Sequence, residues 1–257
     1  MKLSIVKIGG NLIEKETALE QVLENFSKIE GPKILVHGGG KIATQMAEKL
    51  GIETKMVDGR RITDQETLDI ITMVYGGLAN KTIVAKLQAK NCNALGLSGA
   101  DLNSIKSVKR PVKTHDFGFV GDITNVNTNM FSLLLNNTIT PVCCAISHDG
   151  DGQLFNTNAD TIASEIAIAL ANEFEAELYY CFEKKGVLRS IKDDDSVITD
   201  INTEIYQALI KENIIADGML PKLHNCFHAL EKNVHKVYIG SVDMLGNEKE
   251  IRTTITL

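Results

Sequence analysis

No stretch of this sequence approaches the ~18 consecutive apolar residues of a membrane-spanning helix, and the short apolar run between Met1 and Gly10 is interrupted by Lys7. Neither a membrane anchor nor a targeting segment is therefore expected. Cysteine is sparse and unpatterned: five residues, an odd number, stand at Cys92, Cys143, Cys144, Cys181 and Cys226 with no C-x-x-C pair. That argues against a disulfide framework or a zinc site, and for reduced thiols packed in the core of a cytoplasmic protein. A basic excess is missing too. The 27 Lys and Arg residues face 33 Asp and Glu, a net charge of −6, and the cations are scattered. Nucleic acid and anionic membrane are thus not expected partners, although a local cationic pocket remains open. There is no internal repeat and no linker. With 44% hydrophobic and 23% charged residues, the 257-residue chain reads as one globular domain or two closely packed lobes.

What is present alternates. Leu3 to Ile8 reads as a buried strand, Thr17 to Ile29 as an amphipathic helix, Ile34 to Val36 as a second strand, and Ile42 to Leu50 as a second helix ended by Gly51. This is the pattern of βαβ units, which predicts an α/β fold with an open, mostly parallel sheet covered on both faces. Ile52 to Thr63 reads as a hairpin around Asp58-Gly59, and residues 64–90 as mainly helix with an irregularity at Gly76-Gly77. Strands are expected at 94–97, 105–108, 119–126, 138–145, 177–182, 234–239 and 250–256. Helices are expected at 128–135, 159–170, 203–211 and 218–231.

Two glycine clusters each follow an apolar strand and precede a helix: Lys7-Ile8-Gly9-Gly10-Asn11 and His37-Gly38-Gly39-Gly40. Glycine admits close backbone approach, and the start of a helix offers unpaired N–H groups and partial positive charge, so such turns suit phosphates and carboxylates. In an open α/β sheet ligands bind at the carboxyl ends of the strands. Tight βα turns alone could also explain either cluster, and Lys7 beside the first tips the balance toward a ligand. Asn156, Asn158 and Asp160 straddle a helix start; one of them is needed as a cap, which leaves at least one to face a ligand. Asp217-Gly218-Met219 opens another helix, from which Lys222 emerges.

Better-known motifs are absent. There is no G-x-x-x-x-G-K-[ST], and Asp116-Phe117-Gly118 has no H-R-D loop to accompany it. The His37 run lacks the G-x-S-x-G elbow of a lipase, and Asp149 to Gln153 has the wrong spacing for a calcium loop and reads as a turn.

In order along essentially the whole chain, K-I-G-G at 7–10, V-H-G-G-G at 36–40, D-G-R-R-I-T at 58–63, A-N-K-T at 79–82, G-L-S-G-A-D at 96–101, N-T-N-A-D at 156–160 and D-G-M-L-P-K at 217–222 resemble the amino acid kinase family. Within it they resemble the members that phosphorylate N-acetyl-L-glutamate in arginine biosynthesis. The resemblance implies a three-layer αβα sandwich, with an acyl-amino-acid lobe at 1–177 and a nucleotide lobe at 178–257. It implies ATP, with Mg2+ carried on the nucleotide. Lys7 and Lys222 would balance charge on the transferring phosphoryl group, with Asp160 holding both ammonium groups. Gly39, Gly40, Arg61 and Asn156 would bind the acid, Arg61 through its α-carboxylate. Gly9, Gly10, Gly38, Gly186, Asp217, Gly218 and Met219 would face the nucleotide, and no protein-bound metal is expected. His37 reads as structural. The nucleophile, a carboxylate that ordinarily titrates near pH ~4.3, needs no general base, so fixed cations and N–H donors suffice.

Two departures from the family pattern stand out. Phe182-Glu183-Lys184-Lys185-Gly186-Val187 replaces T-D-V-x-G-V, and Ala100 replaces a lysine. The chain also lacks the N-terminal helical extension of the arginine-inhibited hexamers, so an arginine-insensitive homodimer is expected. Other readings stay open: a kinase for another N-acylglutamate such as N-succinyl-L-glutamate, a sibling acting on another acid, or a non-catalytic ligand-binding regulator of the same fold.

Overall fold

The computed structural model describes residues 1–257 except Asp58, Asn213, Ala216, Asp217, Gly218, Glu248 and the side chain of Pro221. Its main sheet has eight strands in the order β12 (Asp200–Ile201), β14 (Thr253–Ile255), β13 (Lys236–Gly240), β11 (Glu175–Cys181), β1 (Lys2–Ile8), β2 (Lys33–His37), β8 (Thr140–Cys144) and β5 (Ala94–Leu97). Every pairing is parallel except β13 with β14.

Alternation along the central strands feeds two cores. Leu3, Ile5, Ile34 and Val36 join one apolar cluster, while Val6, Ile8 and Leu35 join the other. The first cluster lies under α3 (Gly40–Lys49), α4 (Gln65–Ile71), α6 (Thr128–Asn136), α7 (Ala159–Leu170), α8 (Thr203–Lys211) and α9 (Leu220–Glu231). The second lies under α1 (Gly10–Glu14), α2 (Glu16–Ser27) and α5 (Asn80–Gln88). This is the expected three-layer α/β arrangement. Lys7 shares the parity of Leu3 and Ile5, so its side chain leaves β1 on the α7 side. The expected lobe division at 177/178 falls inside β11, and the sheet runs on through it.

Three local differences from the sequence reading bear on the site. The single strand expected over 138–145 stops at Cys144, and the chain crosses into a second sheet of order β10 (Leu154–Asn156), β9 (Ile146–His148), β6 (Ile105–Lys109) and β7 (Gly121–Val126). β9 and β10 are joined by the expected 149–153 turn, closed by Asp149 Oδ1 accepting from the amides of Asp151 and Gln153 at 2.7 and 3.1 Å. They escape a periodicity reading because each is three residues long and fully or partly buried. The hairpin over 52–63 contracts to β3 (Met56–Val57) and β4 (Arg60–Arg61), with Asp58 outside the described residues. The irregularity at Gly76-Gly77 is a π-helical segment, Thr72–Ala79, between α4 and α5.

All five cysteines are free and buried, and among the described residues no helix is long and apolar enough to cross a membrane.

Candidate active site

The two glycine turns lie at the carboxyl ends of neighbouring strands β1 and β2, and α7 closes over them. An added Cβ on Gly38 would stand 3.8 Å from Ala159 Cβ, which puts the second turn against the first residue of α7. Asn158 caps that helix, its Oδ1 accepting from the amides of Asp160 and Thr161 at 2.7 and 3.3 Å. The cap leaves Asp160 in the first turn facing back across the sheet, where its Oδ1 meets Lys7 Nζ at 2.6 Å. Both side chains are largely enclosed, at 15% and 13% exposure. Asp160 Oδ1 is itself buried and makes no aligned hydrogen bond beyond that ion contact. Gly9 is the residue before α1, its amide donating to Cys181 O at 3.2 Å, and Gly10 begins that helix with open space where a Cβ would lie.

Arg61 belongs to β4, yet its guanidinium reaches α3. Nη2 donates to Gly40 O at 2.9 Å and to Thr44 Oγ1 at 2.8 Å, and Nη1 donates to Thr54 Oγ1 at 3.1 Å. The same hairpin places Thr63, fully buried, where its hydroxyl accepts from Asn156 Nδ2 at 3.0 Å. Asn156 and Arg61, distant in sequence, are thereby tied to one corner. Glycine at 39 is required by Tyr75: a Cβ there would lie 2.9 Å from Tyr75 Cδ1.

His37 explains how the second turn is held. The imidazole is fully buried, with Nδ1 2.7 Å from Gly38 O and Nε2 3.0 Å from Asn80 Nδ2. Gly38 O can only accept, so Nδ1 carries the hydrogen, and Nε2 accepts from the Asn80 amide. That amide also donates to Val142 O at 2.9 Å. Burial drops the His37 pKa to about 4, which keeps the ring neutral. Its structural reading fits this geometry, and its hydrogen bonds orient the loop that carries Gly38.

On the other side of β1, Lys222 projects from the first turn of α9, with its ammonium 5.2 Å from the centroid of the Phe182 ring. Among the described residues no carboxylate forms an ion pair with it; Asp160 is engaged by Lys7. The two charges nonetheless share a neighbourhood. The buried Cys226 thiol has its pKa raised chiefly by burial and further by Asp160, while Lys222 acts in the opposite direction. Met219 immediately precedes α9 and packs against the core; Asp217 and Gly218 lie outside the described residues. Gly186 is buried, and a Cβ there would lie 2.6 Å from Thr253 Oγ1 and 2.7 Å from Val197 Cγ1, so packing accounts for this glycine. In the segment that departs from the family pattern, Lys184 pairs with Asp194 at 2.5 Å and Lys185 with Asp195 at 3.1 Å. Ala100 is exposed.

Sequence reasoning passed over Tyr75, Thr63 and Thr44. Tyr75 sits inside a long helical pattern, where an aromatic residue reads as core. Only its position directly before Gly76-Gly77, where the helix widens, marks it as unusual.

A parallel sheet with paired glycine turns and a lysine–aspartate pair at its strand ends has counterparts among known proteins. Residues 2–241 match the Amino acid kinase family, and the chain belongs to it. It is 57% identical over 238 residues to the acetylglutamate kinase of Phocaeicola vulgatus, covering 93% of each chain. To the acetylglutamate kinase of Bacteroides thetaiotaomicron it is 54% identical over 251 residues, 98% of each chain. Among solved structures, the N-acetylglutamate synthase of Neisseria gonorrhoeae superposes with a TM-score of 0.83 at 20% identity, over 99% of this chain and 59% of that one, a likeness of fold.

Proposed function

We propose that this protein transfers the γ-phosphoryl group of ATP to the side-chain carboxylate of N-acetyl-L-glutamate, giving ADP and N-acetyl-L-glutamyl 5-phosphate. The observation that carries the reading is the Lys7–Asp160 pair, 2.6 Å apart and largely enclosed, at the glycine turns that Arg61 also reaches. The acetylglutamate kinases at 57% and 54% identity favour the acetylated acid over another acyl group, and the retained lysines favour turnover over a silent regulator.

The chemistry follows from charge. Two anions, the acid's side-chain carboxylate and the γ-phosphate, must approach in line, and neither needs a proton removed. Lys7, oriented by Asp160, neutralises charge on the transferring group, and the amides at Gly10, Gly39 and Gly40 donate to oxygens of the phosphate and the acid. Arg61 takes the α-carboxylate and Asn156 hydrogen-bonds the acid beside it. Lys222 approaches from the nucleotide side, to which Gly9, Gly38 and Met219 are also assigned; Asp217 and Gly218 lie outside the described residues, and Gly186 serves packing. Residues 1–177 then serve chiefly as the acid lobe and 178–257 as the nucleotide lobe.

Magnesium enters with the nucleotide and shields its phosphates. Among the described residues no group of three or more His, Cys, Asp or Glu side chains could hold a metal. A cytoplasmic homodimer completes the reading; sedimentation showing a dimer supports that assembly, and a stable hexamer contradicts it.

The test is ADP release from MgATP with N-acetyl-L-glutamate, N-succinyl-L-glutamate, glutamate and aspartate in parallel, with any acyl phosphate trapped as its hydroxamate. Preference for N-acetyl-L-glutamate is expected. Preference for the succinylated acid would correct the acyl group, and silence with all four from folded protein would overturn the reading.

A further inference from the structure

Tyr75 reaches the acid corner with its ring against Gly39 and its hydroxyl beside Gly40. The residue is 6% exposed, its ring packs across Gly39, and among the described residues no group hydrogen-bonds its phenol. The hydroxyl oxygen is open to the site rather than sealed in the core, and a phenylalanine would pack against Gly39 equally well. The hydroxyl is also aimed. The point where a Cβ of Gly40 would lie is 3.6 Å from Tyr75 Oη and 3.8 Å from Arg61 Nη2, so the phenol and the guanidinium cation flank one gap, kept open because residue 40 is glycine. That gap borders the first residue of α3, a ten-residue helix whose N-terminal dipole favours negative charge.

Arg61 cannot satisfy an anion there alone. Part of its donor fork is committed to Thr54, Thr44 and Gly40 O, so a carboxylate in the gap has lone pairs left over for a further donor. We propose that the Tyr75 hydroxyl is that donor, binding the α-carboxylate of the acid substrate together with Arg61, so that Tyr75 is a specificity-determining residue for acids with a carboxylate at that position. The assignment rests on the acid-kinase reading given above. Burial raises the phenol's pKa, with Arg61 pulling the other way, so the hydroxyl keeps its proton at neutral pH and remains a donor.

The experiment compares wild type with Tyr75→Phe on two acids: N-acetyl-L-glutamate, and 4-acetamidobutanoate, the same molecule without its α-carboxylate. Loss of a hydrogen bond to a charged group should lower kcat/KM for N-acetyl-L-glutamate by on the order of tenfold to a hundredfold, mainly through KM. KM for ATP and the melting temperature should stay unchanged, and the two proteins should be equal on 4-acetamidobutanoate. Equal kcat/KM on N-acetyl-L-glutamate would overturn the assignment while leaving the reaction intact. An equal fall on both acids, or a matching rise in KM for ATP, would overturn it as well, since the contact would then not be to the α-carboxylate. Wild-type protein that phosphorylates neither acid would overturn the functional reading, and the role of Tyr75 with it.

Discussion

Arg61 and Lys222 are the two cations on either side of the Lys7–Asp160 pair, and they are held in opposite ways. The Arg61 guanidinium is pinned by Thr54, Thr44 and Gly40 O, while its loop neighbour Gly38 is braced by the His37–Asn80 link. Lys222 has an aromatic face beneath it and no carboxylate partner among the described residues. In the proposed reaction the α-carboxylate stays still while the phosphoryl group travels. A planar, pinned guanidinium suits the first, and a point charge on a flexible stem, resting on a ring, can follow the second. Rigidity is thus concentrated where recognition is needed and withheld where charge moves.

That contrast can be broken at several points. The largest effect is expected at the seam: Lys7→Ala should lower kcat by on the order of a hundredfold to a thousandfold, with Asp160 left without its ion-pair partner. Steady-state kinetics check it, and a kcat within threefold of wild type would remove Lys7 from the transfer step. Lys222→Ala should lower kcat by on the order of a hundredfold without changing the melting temperature, because Lys222 holds no ion pair among the described residues. An unchanged kcat would make Lys222 a surface charge.

On the pinned side the expected effects are on stability. Asn80→Ala leaves His37 Nε2 buried without its donor and should cost about 1–3 kcal/mol in denaturant unfolding, with a rise in KM for the acid larger than that for ATP. Equal effects on both substrates would show that the link does not serve the acid corner in particular. The smallest effect is in the pH dependence. The folded His37 pKa, about 4, lies below the ordinary histidine value of 6.5, so below pH 6.5 the unfolded chain takes up the proton more readily. Stability from this group is therefore full above 6.5 and lost as pH falls toward 4, about 2 kcal/mol between pH 7 and pH 5. Denaturant titrations of wild type and His37→Gln at the two pH values should differ by that amount; equal slopes would contradict it.

Much of this was legible in the sequence, for identifiable reasons. Ala159 to Leu170 has a clean apolar stripe and a cap, and the helix occupies those residues. The glycine turns announce themselves because a strand, two or three glycines and a helix leave few alternatives. What periodicity could not reveal depends on contacts between distant segments. The second sheet is built from very short strands, of which β6 and β9 meet only after a long excursion of the chain. The binding of Arg61 to α3 joins residues 40, 44 and 61 through a hairpin whose register no local pattern fixes. The pairing of Asp160 with both lysines was expected; the geometry gives the ion pair to Lys7 and sets Lys222 on Phe182, a side chain that stands where the family pattern has threonine. Tyr75 stayed hidden because a core aromatic and a ligand-facing one look alike until the glycine beneath the ring is seen.

At the centre of this account is a phosphoryl transfer carried by fixed cations and backbone donors, with no side chain moving a proton. The pH profile of kcat for N-acetyl-L-glutamate with saturating MgATP, between about pH 6.5 and pH 8.5, tests this most directly. A flat profile is predicted, since the nucleophilic carboxylate is already ionised throughout. A limb rising or falling tenfold per pH unit within that range would reveal an essential proton-transferring group and contradict the mechanism.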